Sequence, residues 1–179
     1  MSAGEFREPV ADSDPLAVRS KIAGVEPTPP RRGDGAVADV DGLCRLEFVR
    51  MPSGRPSFWH GVQRAPGSPF GLTIVCEVEG DELPGADHAA AVAAVRRLHP
   101  SDAQAVLAHI QRRLRDMRYA PIPALALKDL VLTGIHLPAK PMITSRHRLD
   151  YRVRKLPKLI FMVIFERGRP TQVHVDRDH

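Results

Sequence analysis

The sequence predicts an α+β domain: an antiparallel sheet built from two meanders, with a helix pair between them in sequence. Three observations predict it. Leu159 to Phe165 (Leu-Ile-Phe-Met-Val-Ile-Phe) is a short, unbroken apolar run, rich in β-branched and aromatic residues and punctuated by Pro157 and Gly168. Such a run reads as a strand buried on both faces. Its neighbours, His147 to Val153 and Thr171 to Asp176, alternate apolar and polar residues, as half-buried strands do. Between residues 89 and 119, apolar residues recur instead at three and four, the helical spacing.

The first 43 residues show neither period. The stretch from Glu26 to Gly35 is dense in proline and glycine, so residues 1–43 are expected to be a disordered or loosely docked arm. Within it Arg32-Gly33-Asp34 spells an adhesion tripeptide, for which chance is a sufficient account. The single α+β domain is then expected to span residues 44–179. Strands are expected over Cys44 to Met51, Ser57 to Gln63 and Phe70 to Val78, joined by glycine-containing links at Gly54 and Gly67. In the third, Phe70, Leu72, Ile74, Cys76 and Val78 share one face.

Asp87 is positioned to cap a first helix, Ala89 to His99, with Val92, Val95 and Leu98 inward. Ser101 is the better cap, for a second helix, Asp102 to Tyr119, with Ala103, Val106, Leu107, Ile110, Leu114 and Met117 inward and Pro121 and Pro123 stopping it. Arg112, Arg113, Arg115 and Arg118 fall late in this helix, where cations complement its dipole, so they have a structural explanation. Leu127 to Leu137 opens the second meander, and Pro138 to Ser145 is a loop before the three strands already described.

Composition narrows the functional classes. The net charge is +5, but the arm has eight acidic against five basic side chains, and the remainder has thirteen against twenty-one. A basic body with an acidic arm suits an anionic partner or an arm folded over the body. Two cysteines, Cys44 and Cys76, without metal-site spacing, read as free thiols of a reducing compartment. Neither an apolar run long enough to span a bilayer nor a signal-peptide core is present, so a cytoplasmic protein without membrane attachment is expected. Abundant Ala, Arg and Pro point to a GC-rich bacterial source.

Motif searches assign no catalytic residue and no cofactor. There is no nucleophile elbow and no phosphate-cradling glycine loop. Glu77 and Glu79 could share a strand face, but a solvated strand end accounts for them. The best metal candidate is His174, Asp176 and Asp178, which would share one face of a terminal strand. An outward polar face at a chain end has the same pattern, so no metal is assigned.

The stretch Arg148 to Lys158 is dense in cations and could hold phosphates, which makes a nucleic-acid-binding domain one alternative. Asp150 interrupts it, and aromatics are only 5% of the chain, which leaves little for base stacking. An enzyme of unrecognised type is the other alternative.

The side of the central strand bearing Ile160, Met162 and Ile164 is flanked by Arg148 and Arg152, and Arg154 continues their alternation. Three apolar residues on a polar side need a cover. These six residues are therefore the candidate partner-binding set, the partner being another protein or a second copy of the chain.

Trp59-His60-Gly61-Val62 precedes a strand ending in Glu79-Gly80-Asp81. Two predicted helices and the strands closing on Phe165-Glu166-Arg167-Gly168-Arg169 follow. This order resembles uncharacterised bacterial domains of unknown function, some of which resemble immunity proteins of contact-dependent toxin systems. The resemblance covers about Ser57 to Asp178. It implies a non-enzymatic binding domain, immunity-like or adaptor-like, and carries no catalytic residues with it.

Overall fold

The computed structural model describes residues 36–52, 55–64, 70–142 and 145–177. Its strands are β1 (Val37–Asp39), β2 (Arg45–Val49), β3 (Ser57–Gln63), β4 (Leu72–Val78), β5 (Leu130–Leu137), β6 (His147–Val153), β7 (Leu156–Glu166) and β8 (Arg169–Arg177). They form one eight-stranded sheet whose spatial order is the chain order. Every neighbouring pair is antiparallel except β4 and β5, which run parallel, Cys76 opposite Leu137. A parallel pair needs a crossover connection. That connection contains α1 (Ala86–Asp116) and a short 3-10 turn, Leu127–Asp129.

The α+β class holds, but the predicted arrangement does not. An antiparallel sheet from two meanders with a helix pair between them was expected; the strands form one mixed sheet, joined by the parallel pair β4 and β5, and a single α-helix lies between them in sequence among the described residues. A break between His99 and Asp102 was expected, yet α1 runs through it with Pro100 inside. The reason is the phase of the buried stripe. His88, Val92, Val95, Val106, Ile110 and Leu114 are buried, and half-buried His99 keeps the three-and-four spacing across the proline. Pro100 itself is exposed, so the carbonyl it cannot bond lies on the wet side of the helix. Ser101 does not cap: its hydroxyl donates to the Leu98 carbonyl at 2.6 Å. Leu98 and Met117, expected inward, are each 42% exposed. The helix ends at Asp116, and Arg118 follows in the left-handed region at φ 53°.

At about 1.5 Å per residue, 31 residues reach roughly 46 Å, enough to cross an eight-stranded sheet with ~4.8 Å between strands. α1 packs against β5 and β8, and all the fully buried large side chains lie between helix and sheet. Phe48 and Trp59 meet there at 5.2 Å between ring centroids, and the Trp59 indole N–H donates to the Glu82 carbonyl. In β6 every second residue is buried: His147, Leu149, Tyr151 and Val153. In β7, Phe161, Val163 and Phe165 are buried, but Ile160, Met162 and Ile164 are only half-buried. The central strand is thus in the core on one face, not both.

Part of the expected arm is folded. Val37–Asp39 pairs with β2, and Ala36 and Leu43 are buried against the core. Residues 1–35 of that arm lie outside the described residues. Asp129 fixes the far end of the sheet. Its carboxylate accepts from the Ala126 N–H at 2.9 Å and meets Lys155 Nζ at 3.1 Å, while its carbonyl accepts from the Arg154 N–H at 2.8 Å. These bonds hold the β6–β7 turn.

Candidate functional site

One face of the sheet is covered by α1. The strand registers show what the opposite face carries. One row runs His60, Val75, His136, Arg148, Ile164, Gln172 across β3 to β8. The next runs Val62, Thr73, Gly134, Asp150, Met162, His174. A third pairs Arg152 with Ile160 and Ile160 with Asp176. Cross-strand neighbours on one face are close enough to interact, so each row is a line of contact.

At the middle of this face His136, Arg148 and Asp150 form a polar cluster. Asp150 Oδ2 lies 2.6 Å from His136 Nε2, and Asp150 Oδ1 lies 3.0 Å from Arg148 Nε. Arg148 Nη2 stands 2.8 Å from His136 Nδ1 and 2.7 Å from its Nε2. The His136 tautomer with its proton on Nε2 donates to Asp150 and can accept from Arg148 at Nδ1. The Asp150 side chain is 16% exposed and that of His136 23%, so the cluster is largely sealed by its own members.

The backbone makes room for this cluster. The register slips between Leu132 and Gly134, leaving Thr133 as the extra residue of a bulge in β5. Thr133 Oγ1 donates to the Asp150 carbonyl at 3.2 Å. Gly134 carries no β-carbon where the Asp150 side chain leans across towards His136. Beside the cluster is an open cleft of about 380 Å³ lined by Phe70, Gly71, Thr73, Thr133, His136, Asp150, Arg152 and Ile160. The Arg152 guanidinium stands 5.5 Å over the Phe70 ring.

Of the candidate partner-binding set, Arg148, Arg152, Ile160, Met162 and Ile164 share this open face as direct cross-strand neighbours. Arg154 does not join them: β6 ends at Val153, and Arg154 is an exposed residue of the following turn. His174 and Asp176 lie exposed on β8, two residues apart, and Asp178 is outside the described residues. The Asp176 carboxylate accepts from the Arg177 N–H at 2.8 Å. Among the described residues, no group of three or more His, Cys, Asp or Glu side chains is placed to hold a metal ion.

His136, Thr133 and Gly134 were not singled out from sequence; Phe70 was expected on the face of Ile74 and Cys76, but it precedes β4 and lines the cleft. An isolated glycine inside the strand Leu127 to Leu137 was the available signal, because glycine in a strand marks a bulge or a close approach.

Several other titratable groups are in or beside the core. Burial pushes the Cys76 thiol up to about 12 and raises that of Cys44, which leaves neither as a nucleophile. His88, His99 and His147 are each held below the usual histidine range by burial. His147 stacks on Phe165 at 5.2 Å, and His99 Nδ1 is 3.3 Å from the Tyr151 hydroxyl. No helix among the described residues is long and apolar enough to cross a membrane.

Fold and site together define a class: an α+β protein whose single mixed sheet is covered by a helix on one side and presents a mixed polar and apolar face on the other. Comparison with protein-family models, with curated proteins and with solved structures finds no match to the chain.

Proposed function

We propose that this chain is a non-enzymatic protein-binding module, immunity-like or adaptor-like, acting in a bacterial cytoplasm. Its partner, another protein or a second copy of the chain, docks on the open face of the sheet. The observation that carries the reading is the strip Ile160, Met162, Ile164, half-buried on that face and bordered by Arg148 and Arg152 on one side and Gln172 and His174 on the other. Apolar side chains rimmed by polar groups form a common kind of contact surface. The resemblance to immunity-like domains points the same way.

An enzyme is less well supported, because both ring nitrogens of His136 are engaged by Asp150 and Arg148. Nucleic acid is less well supported because the carboxylates of Asp150 and Asp176 interrupt the basic residues of this face.

The test is Met162→Glu. Met162 is half-buried, so the monomer should lose less than the ~2–5 kcal/mol of a core Met→Ala change and remain folded. Capture of the partner from the native host, or self-association in sedimentation, should fail. Unfolding of the variant would show that the fold itself needs this face covered and would defeat the docking reading.

A further inference from the structure

We propose that the outer edge of β8 takes an extended acidic segment of another protein as an added strand, its carboxylates held by Arg112 and Arg113 of α1. This surface is separate from the open face, and the proposal does not rest on a partner docking there. β8 is nine residues long, against three for β1 at the opposite edge, and among the described residues no strand pairs with its outer side. Alternate residues of such a strand direct N–H and C=O away from the sheet, where a further strand can pair with them. Pro170 lacks a donor, which leaves Thr171 to Arg177 for pairing.

A cleft of about 340 Å³ lies between β8 and the last turns of α1. Thr171, Gln172, Val173 and His174 line it in unbroken succession. Successive strand side chains point to opposite faces, so a cleft that meets four in a row runs along the backbone edge itself. The other edge of β8 is taken by β7, so this one is the outer edge. Across the cleft stand Arg112 and Arg113, both exposed. Neither guanidinium is paired with a carboxylate among the described residues. Asp116 is the one carboxylate of the lining, so positive charge is in excess. A guanidinium presents its N–H donors in a fork that fits a carboxylate. An added strand would turn alternate side chains towards α1, so acidic residues at every second position meet the two arginines. A second copy fits poorly: antiparallel self-pairing about Val173 would set Arg169 opposite Arg177 and bring the arginines of both helices together. A nucleic acid would meet the arginines but not the alternating donors and acceptors of the strand.

The experiment titrates the full chain with a short capped peptide of alternating Thr and Glu and follows backbone amides by two-dimensional NMR and hydrogen exchange. The comparison probes are the same peptide with Lys in place of Glu, the Glu peptide methylated on its backbone nitrogens, and a single-stranded DNA oligonucleotide. The expected result is saturable shifts from Thr171 to His174 and at Arg112 and Arg113 with the Glu peptide, and slower exchange at alternate amides of β8. The Lys and methylated peptides should produce neither. Replacing both arginines, Arg112→Gln with Arg113→Gln, should weaken binding by about tenfold, the order expected for two exposed ion pairs. Absence of shifts with the Glu peptide overturns the proposal. Equal binding of the Lys peptide removes its charge argument, and equal binding of the methylated peptide removes strand addition; either overturns it. Tighter binding of the oligonucleotide overturns it in favour of nucleic acid. Protection of β8 that rises with protein concentration and without peptide assigns the edge to a second copy instead. Unchanged binding by a folded double variant also overturns it, and the peptide series on the unaltered chain decides alone if that variant loses its fold.

Discussion

The Asp150 side chain occupies the space that a β-carbon on Gly134 would fill. An ideally placed Cβ there would stand 2.8 Å from Asp150 Oδ2 and 3.0 Å from Asp150 Cβ. Because the second contact is to the root of the side chain, rotation of the carboxylate alone does not relieve it. The absence of a side chain at residue 134 is therefore what lets Asp150 reach His136 at 2.6 Å.

Gly134→Ala should consequently destabilise the protein by roughly 1–3 kcal/mol, the usual cost of overpacking. In an Asp150→Ala background the same change should cost less, since the contacts with the carboxylate are gone and only that with the β-carbon of residue 150 is left. Urea denaturation of the four proteins of this cycle measures the coupling. Equal costs in both backgrounds would show that the contact does not constrain residue 134.

Stability should fall as the solution is acidified through the histidine range. Burial lowers the folded-state pKa of His88, His99 and His147 below the ordinary value of 6.5. Between the folded and unfolded values, the unfolded chain binds more protons than the native one. The stabilisation is therefore complete above about 6.5 and is lost as pH falls from there towards the folded values. Thermal melts should show a midpoint that drops between about pH 7.5 and 5.5, above the range where carboxylates titrate. His147→Leu, which keeps an apolar side chain against Phe165, should make that dependence shallower. A midpoint constant across this interval would count against buried neutral histidines.

The N-terminal boundary of the folded unit should lie before Ala36 rather than at Cys44. A chain beginning at Ala36 keeps β1 and the buried Ala36 and Leu43; one beginning at Cys44 loses all three. Removing Leu43 alone takes away a buried leucine, worth roughly 1.5–3 kcal/mol of apolar transfer. The shorter chain should melt several degrees below the longer one. Identical melting temperatures would show that residues 36–43 add nothing to the fold.

How far the sequence could be read depended on the range of the forces involved. β3 and β6 have the bounds expected of them, Ser57–Gln63 and His147–Val153. The sidedness of Leu149, Tyr151 and Val153 followed from alternation alone, because strand geometry sends successive side chains to opposite faces whatever the rest of the chain does. The same local rule aligned Arg148 and Arg152 with the partly covered face of β7.

Pro100 shows where a local rule was outweighed. A proline normally interrupts a helix, but the stripe from His88 to Leu114 keeps its phase through it, and packing the whole stripe on one sheet favours a single helix. The parallel pairing of β4 with β5 was decided only by tertiary structure. Backbone donors and acceptors are the same in every strand, so no residue in Leu72–Val78 or Leu130–Leu137 names its neighbour. The His136–Asp150 contact depends on the register of β5 with β6 and on the bulge at Thr133. Residues fourteen apart in sequence meet there through the folding of the intervening chain, a relation that neither period nor spacing encodes.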